Sequence, residues 1–286
     1  MRDYALLALA VVNVSSASVL VKLAGSQGVH GFSAASWRLL LSAILTWLML
    51  AGRVSRLPGG RDLVLMLISG VGLALHFDLW MLSLSYTSVA VSVTIVDSYP
   101  ALLAVAGRTL FREEYTRIQY IGAALAMAGV VLLSSQGGFR VEDLKGPLLA
   151  FGGMLGVAVY FIAGKELRKR YTTLEYTGIV YMIAALVSIL LTRMIGARLT
   201  GYTLEAWIYL ILLAIIPMLG GHSILNYLLK RLSLLATTVP VLGEPVGASI
   251  LAYLILGEHV GLETAAFMAI TLAGIGLTLL GEASRR

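Results

Sequence analysis

Residues 99–114 read YPALLAVAGRTLFREE, and residues 244–258 read EPVGASILAYLILGE. In both, a proline is followed thirteen residues later by a glutamate: Pro100 and Glu113, then Pro245 and Glu258. Adding the same 145 carries Ala128-Gly129 onto Ala273-Gly274. Working outward, the offset becomes 146 for His76 and His222 or Ala90 and Ala236, and 143 for Lys22 and Lys165. Matched residue types at slowly drifting offsets describe a duplicated unit with small insertions.

Each unit is almost wholly apolar. Hydrophobic residues make up 59% of the chain and charged residues 13%, with a mean hydropathy of +0.90. Soluble domains run near 45–50% and about 25%. Runs of the roughly 20 apolar residues that a helix needs to cross about 30 Å of hydrocarbon recur from end to end. An all-α integral membrane protein is expected, with the lipid bilayer as its first partner. The net charge of +6 sits in short connectors, as membrane orientation requires, so no nucleic acid is expected. The chain has no cysteine, which excludes disulfides, thiolate metal sites and a cysteine nucleophile.

Ten transmembrane helices are predicted, near residues 4–23, 32–51, 63–83, 86–108, 117–135, 146–165, 174–194, 204–227, 235–256 and 261–281. The first is read as an uncleaved span rather than a signal peptide. Of the 21 Lys and Arg residues, fifteen fall on one side if the N-terminus lies inside, five on the other, and Arg38 within a span. The positive-inside bias then puts both termini in the cytoplasm. Five spans per unit is an odd number. The second copy, residues 146–281, must therefore enter the membrane upside down relative to the first, residues 4–135. Two inverted five-helix repeats are a recurrent plan of secondary transporters, with the site at midplane between them.

Ionisable groups at membrane depth cost about 2.5–3.5 kcal/mol each on insertion scales, so each requires a reason. The deep acids are Asp78, Asp97 and Glu244, the deep cation is Arg38, and His76 and His222 occupy matched positions. Asp97 precedes Tyr99-Pro100, and Glu244 lies between Pro240 and Pro245. Proline removes a backbone donor and frees carbonyls, so Pro100, Pro240 and Pro245 mark kinks beside the two carboxylates. On a helical wheel Gly72, His76, Trp80 and Ser83 form one stripe, with Asp78 turned about 200° from His76 at 100° per residue. His222 and Asn226 lie four apart on the corresponding later span. Asp97, Glu244, His76, His222, Asp78, Arg38, Trp80, Tyr99 and Asn226 are the candidate substrate or coupling-ion residues. For Asp78, Arg38 and the histidines, a structural hydrogen bond or ion pair between helices is an equally good account. Without a Gly-x-x-x-x-Gly-Lys-Ser/Thr loop or a His-Glu-x-x-His helix, neither ATP hydrolysis nor zinc proteolysis is expected. No cofactor or metal site is expected either.

Pro100 with Leu110-Phe-Arg-Glu113-Glu114, Gly122 and Ala128-Gly129 resembles the EamA-type repeat of the drug/metabolite transporter superfamily. So does Gly243-Glu244-Pro245 with Leu256-Gly257-Glu258 and Ala273-Gly274, and Trp37-Arg38 and residues 84–90 fit the same repeat. The resemblance covers essentially the whole chain. It implies ten helices, cytoplasmic termini, a central cavity, and movement of small metabolites by alternating access. Where the family often carries an aromatic in its first span, this chain has Val12-Asn13.

The function expected is secondary transport of a small polar metabolite (an amino acid, amine or related solute) across the cytoplasmic membrane, by efflux or exchange. A proton or another coupling ion is the expected co-substrate, and the chain is expected to act as a monomer or homodimer. It is not read as an enzyme. Two other readings stay open: an intramembrane enzyme using His76, Asp78 and Asp97, and a non-transporting membrane subunit.

Overall fold

A computed structural model of the chain describes residues 2–54, 57–83, 86–87, 89–135, 144–256 and 261–285. Gly257, Glu258 and most of the seam expected after Gln136 lie outside the described residues, as do Arg56, Arg140, Leu84 and Ser85. Every regular element among the described residues is helical. In lipid that is the expected solution, because a helix satisfies its own backbone donors and acceptors.

The helices are α1 (Arg2–Ser15), α2 (Ala17–Ser26), α3 (Gly31–Leu50), α4 (Arg61–Ser83), α5 (Val89–Val96), α6 (Tyr99–Leu110) and α7 (Arg117–Ser135). There follow α8 (Lys145–Leu167), α9 (Thr173–Met194), α10 (Leu204–Leu213), α11 (Ser223–Leu228), α12 (Leu234–Thr238), α13 (Glu244–Leu256) and α14 (Leu262–Ala283). A π-helical stretch, Ala214–His222, joins α10 to α11, and a 3₁₀ turn, Val239–Gly243, joins α12 to α13. Counting the joined segments together, eight helices among the described residues are long and apolar enough to cross a membrane, and Arg117–Leu133 is a shorter apolar helix. The remaining expected window, 86–108, holds α5 and α6, which are separated at Asp97-Ser98.

Three antiparallel crossings organise the bundle. The N-terminal part of α3 meets the C-terminal end of α9 and the segment just beyond it: the Ser36 hydroxyl lies 2.9 Å from that of Thr192, the Ser33 hydroxyl donates to the Arg198 carbonyl at 2.7 Å, and the Trp37 indole to the Leu199 carbonyl at 2.7 Å. At the other end of the same pair, Trp47 donates to the Gly178 carbonyl at 3.1 Å. Helices α7 and α14 run antiparallel through Gly122, Gly129 and Gly274, with Gln119 donating to Glu282 at 3.1 Å. Helices α4 and α8 cross through Gly72 and Gly156. A Cβ on Gly72 would stand 2.8 Å from the Gly156 carbonyl oxygen, and one on Gly156 would stand 2.6 Å from that of Gly72. Only small residues permit such an approach.

The polar groups lie inside the bundle. Arg38, Asp78, Tyr160, Tyr176 and Tyr181 are fully buried, whereas Leu48, Leu67, Leu186, Leu190 and Leu280 are exposed on the periphery. That distribution suits a hydrocarbon surround and reverses the arrangement of a water-soluble domain.

Candidate functional site

Backbone irregularity within the spans gathers at one level. Ser16 separates α1 from α2, and the hydroxyls of Ser15 and Ser16 donate back to the Val11 and Asn13 carbonyls at 2.8 and 2.7 Å. Hydroxyls that claim helix carbonyls in this way bend the helix. At the second interruption Pro100 is the second residue of α6. It has no N–H to return to the Val96 carbonyl, but in a first turn that absence is tolerated. Pro240 and Pro245 stand second in the 3₁₀ turn and in α13. The three prolines expected to kink helix interiors therefore begin new segments. The proline that does lie inside a helix is Pro217, in the π-helical stretch. Its signal in the sequence is Pro217 followed by Gly220-Gly221 within an apolar run.

All four interruptions border one cavity of about 40 Å³, room for a few waters. Val14 and Ala17 flank the break at Ser16, and Val96, Asp97 and Tyr99 flank the break before α6. Val241 and Glu244 come from the 3₁₀ turn and the start of α13, while His222 ends the π-helix and Leu225 lies just after it in α11. Unbroken helices supply Arg38 from α3, His76, Phe77 and Trp80 from α4, and Val157 from α8. Non-helical backbone at membrane depth is tolerated where it lines such a space.

Arg38 is 1% exposed. Its guanidinium carbon lies 4.2 Å from the centre of the Phe77 ring, and Nε and Nη1 have no hydrogen-bond partner. It forms no ion pair among the described residues. Asp97 is buried with Oδ2 also unpartnered. The wall therefore offers free guanidinium donors and a free carboxylate oxygen, uncommitted to each other, with Glu244 alongside.

The imidazoles are held differently. His76 Nδ1 donates to the Gly153 carbonyl at 3.1 Å, a contact made possible by the glycine crossing of α4 on α8. Trp80 stacks parallel to the His76 ring at 6.4 Å. The His222 ring centre lies 6.4 Å from that of His76 and edge-on to Phe77 at 5.5 Å, with Nδ1 unpartnered. Tyr99 stacks on Phe161 at 5.6 Å.

Seven of the nine residues singled out from the sequence therefore meet in one cavity. Two do not. Asp78 turns away to accept from the Ser188 hydroxyl on α9 at 2.8 Å. Asn226 donates to the Tyr160 hydroxyl and, at 2.7 Å, to the His222 carbonyl. The apolar lining residues Val14, Ala17, Phe77, Val96, Val157, Leu225 and Val241 carry no chemical signature and were not foreseen.

Where α8 ends, a second polar cluster closes the bundle. Glu113 pairs with Lys165 at 2.8 Å and accepts from the Leu234 N–H at 2.9 Å and from the Tyr115 hydroxyl at 2.7 Å. Burial, and then the charge of Glu113, push the Tyr115 hydroxyl well above its ordinary range. Burial alone lowers the Arg168 guanidinium, which donates to the Asn226 carbonyl at 3.0 Å.

The chain matches the model of the EamA-like transporter family twice, over residues 2–135 and 144–280. An Archaeoglobus fulgidus protein named "Uncharacterized transporter" is 24% identical, with 97% of both chains covered. The Bacillus subtilis "Uncharacterized transporter YdfC" is 20% identical over 90% of this chain and 84% of its own. A Streptantibioticus cattleyicolor protein named "Probable terminal-alkyne amino-acid exporter" is 26% identical over 88% of this chain and 84% of its own. A solved crystal structure 19% identical in sequence superposes with a TM-score of 0.84 over 98% of both chains, a likeness of fold alone. Two matches of the family model spanning nearly the whole sequence, on a multi-pass helical membrane protein, make this chain a member of the EamA-like transporter family.

Proposed function

We propose that this protein is a secondary transporter of a small zwitterionic or cationic metabolite, an amino acid, amine or related solute, working by alternating access. The observation that carries the reading is the cavity itself. Guanidinium nitrogens of Arg38 and a carboxylate oxygen of Asp97, all without hydrogen-bond partners, share a small buried pocket bordered by the four interruptions among the described residues. A buried charge without a partner is costly, and a solute bearing both an ammonium and a carboxylate completes both sides at once. Arg38 takes the carboxylate, as its planar fork suits. Asp97 and Glu244 take the ammonium, with Trp80 and Tyr99 closing over the solute and His76 and His222 setting its orientation. The name of the Streptantibioticus cattleyicolor relative points the same way.

In this reading ten helices cross the membrane as inverted repeats, residues 4–135 and 146–281, with both termini in the cytoplasm of a cell whose inner membrane holds the protein. Support comes from the pairing of equivalents. Under the 145-residue offset α3 corresponds to α9 and α7 to α14, and each pair crosses antiparallel. Two halves related by inversion can exchange conformations, which turns an outward cavity into an inward one. At about 40 Å³ the cavity admits only waters in this state, so a solute enters when the walls part.

The test is counterflow in proteoliposomes with a ¹⁴C-labelled amino-acid and amine mixture, comparing Asp97→Asn and Glu244→Gln made separately. Each variant is expected to reduce counterflow by about tenfold or more, the loss of one charge-assisted contact. Full activity in both, with unchanged pH dependence, would remove the two carboxylates from the mechanism.

A further inference from the structure

Asp78 is the buried acid that the cavity does not use. Its helix presents two faces. His76, Phe77 and Trp80 look into the cavity, while Asp78 is fully buried and faces α9. Oδ1 accepts from the Ser188 hydroxyl at 2.8 Å, and Oδ2 has no partner. Ser188 in turn lies 3.0 Å from the Ser36 hydroxyl, and Ser36 lies 2.9 Å from that of Thr192. All three hydroxyl residues are buried. Thr192 sits in the last turn of α9, next to the exposed stretch Arg193–Gly196.

The three hydroxyls stand in series rather than around a centre. Ser36 touches both of the others, and of the three only Ser188 touches Asp78. A metal cation needs converging oxygens, so a linear file suits a proton better. A hydroxyl donates one hydrogen bond and accepts two. With Asp78 ionised, the file runs Thr192 to Ser36 to Ser188 to Asp78. With Asp78 neutral it runs the other way. Changing direction breaks one O–H bond and forms another at each hydroxyl, so one proton is gained at the outer end and one delivered at the carboxyl.

The neighbouring elements bring no counter-charge. Among the described residues, Arg38 of α3 lies over Phe77, Tyr160 of α8 receives the Asn226 amide, and Tyr181 of α9 bonds Ser223. Arg193 of α9 is exposed, His76 of α4 is bonded to Gly153, and α5 carries no titratable residue. An ionised Asp78 would therefore stand buried without a cation, which costs several kcal/mol.

We propose that Asp78 is the coupling-proton site of the transporter, loaded through Thr192, Ser36 and Ser188 and separate from the substrate carboxylates. The inference rests on the transporter reading above. Neutral Asp78 lets α4 seat against α9. Once ionised it draws in water and loosens that contact, and because His76 and Trp80 ride on the same helix, the cavity wall moves with it.

Infrared difference spectra of the full-length protein in lipid, titrated across the pH range, test this without any solute. A protonated-carboxyl band is expected that vanishes in Asp78→Asn and persists in Asp97→Asn. Should Asp78→Asn fail to fold, Ser188→Ala is the second variant. It should shift the band, because the carboxyl loses its partner, and slow its hydrogen–deuterium exchange by about a hundredfold, the scale of a lost proton relay. A band unaffected by both variants overturns the proposal, and so does a band erased by sodium chloride at fixed pH, which would mark a metal-cation site. If the Asp78 band behaves as expected but wild-type counterflow is absent, the proton site stands and the transporter reading falls.

Discussion

Glu113 and Lys165 hold each other at 2.8 Å across the two halves of the sequence, and the same Glu113 carboxylate receives the N–H of Leu234 at the start of α12. Lys165 adds a bond to the Leu232 carbonyl at 2.7 Å. One ion pair thus ties the loop after α6, the end of α8 and the entry to α12. That entry leads directly into the 3₁₀ turn and Glu244, so the pair bears on the cavity from a distance.

Removing one partner should cost more than removing both. Lys165→Met leaves Glu113 charged and partly buried, and should lower stability by about 1–3 kcal/mol, the penalty of a polar group left unmatched. Glu113→Gln keeps an acceptor for Leu234 and should cost less. Thermal melts in detergent check this. A double variant no more stable than Lys165→Met alone would show that the charges do not depend on each other.

Tyr115 predicts an alkaline limit. Its hydroxyl titrates above the ordinary range of about 10 in the folded protein, so the folded state retains its proton where the unfolded chain has released it. The stabilisation is complete below pH 10 or so and is lost as pH rises toward the folded value. Melting temperature should therefore fall above about pH 10, and less steeply in Tyr115→Phe than in the wild type. Identical slopes would assign the alkaline loss to other groups.

The glycine crossing predicts a steric failure. In Gly156→Leu the new side chain would strike the Gly72 carbonyl and the His76 backbone, since even a Cβ there stands 2.6 and 2.9 Å from them. Overpacking of this kind costs about 1–3 kcal/mol or more. It should also separate His76 from the Gly153 carbonyl. Gly276→Ala is the control, because a Cβ there meets nothing within 4 Å. Equal melting temperatures for the two variants would contradict the crossing.

Arg38 predicts a geometric requirement beyond charge. Arg38→Lys keeps a cation but loses the planar fork and the face-on contact with Phe77, so solute affinity should fall by about tenfold or more, as for a lost bidentate contact. Arg38→Gln should do worse for carboxylate-bearing solutes while sparing simple amines. Initial uptake rates against concentration separate the cases, and equal losses for amines and amino acids would argue against a carboxylate partner.

Much of this was legible in the residues. Apolar runs, basic connectors and the repeated proline–glutamate spacing were enough to indicate a helical membrane protein with a doubled plan, because transfer into hydrocarbon is decided locally, residue by residue. Asp97, Glu244, Arg38 and the two histidines could be singled out for the same reason: a charge at that depth is conspicuous. Asp78 was equally conspicuous and yet lies elsewhere, one residue past Phe77 on the same helix but facing α9. On this unbroken helix the 100° spacing did turn Asp78 away from His76, but it could not say which neighbour Asp78 would meet. Which deep groups meet depends on how far each helix is rotated when it reaches the centre. Four interruptions, at Ser16, at Asp97-Ser98, in the π-helix around Pro217 and in the 3₁₀ turn before Glu244, reset that rotation. A wheel drawn at 100° per residue cannot be carried through them, so the grouping of side chains from distant segments emerged only once the helices were packed against one another.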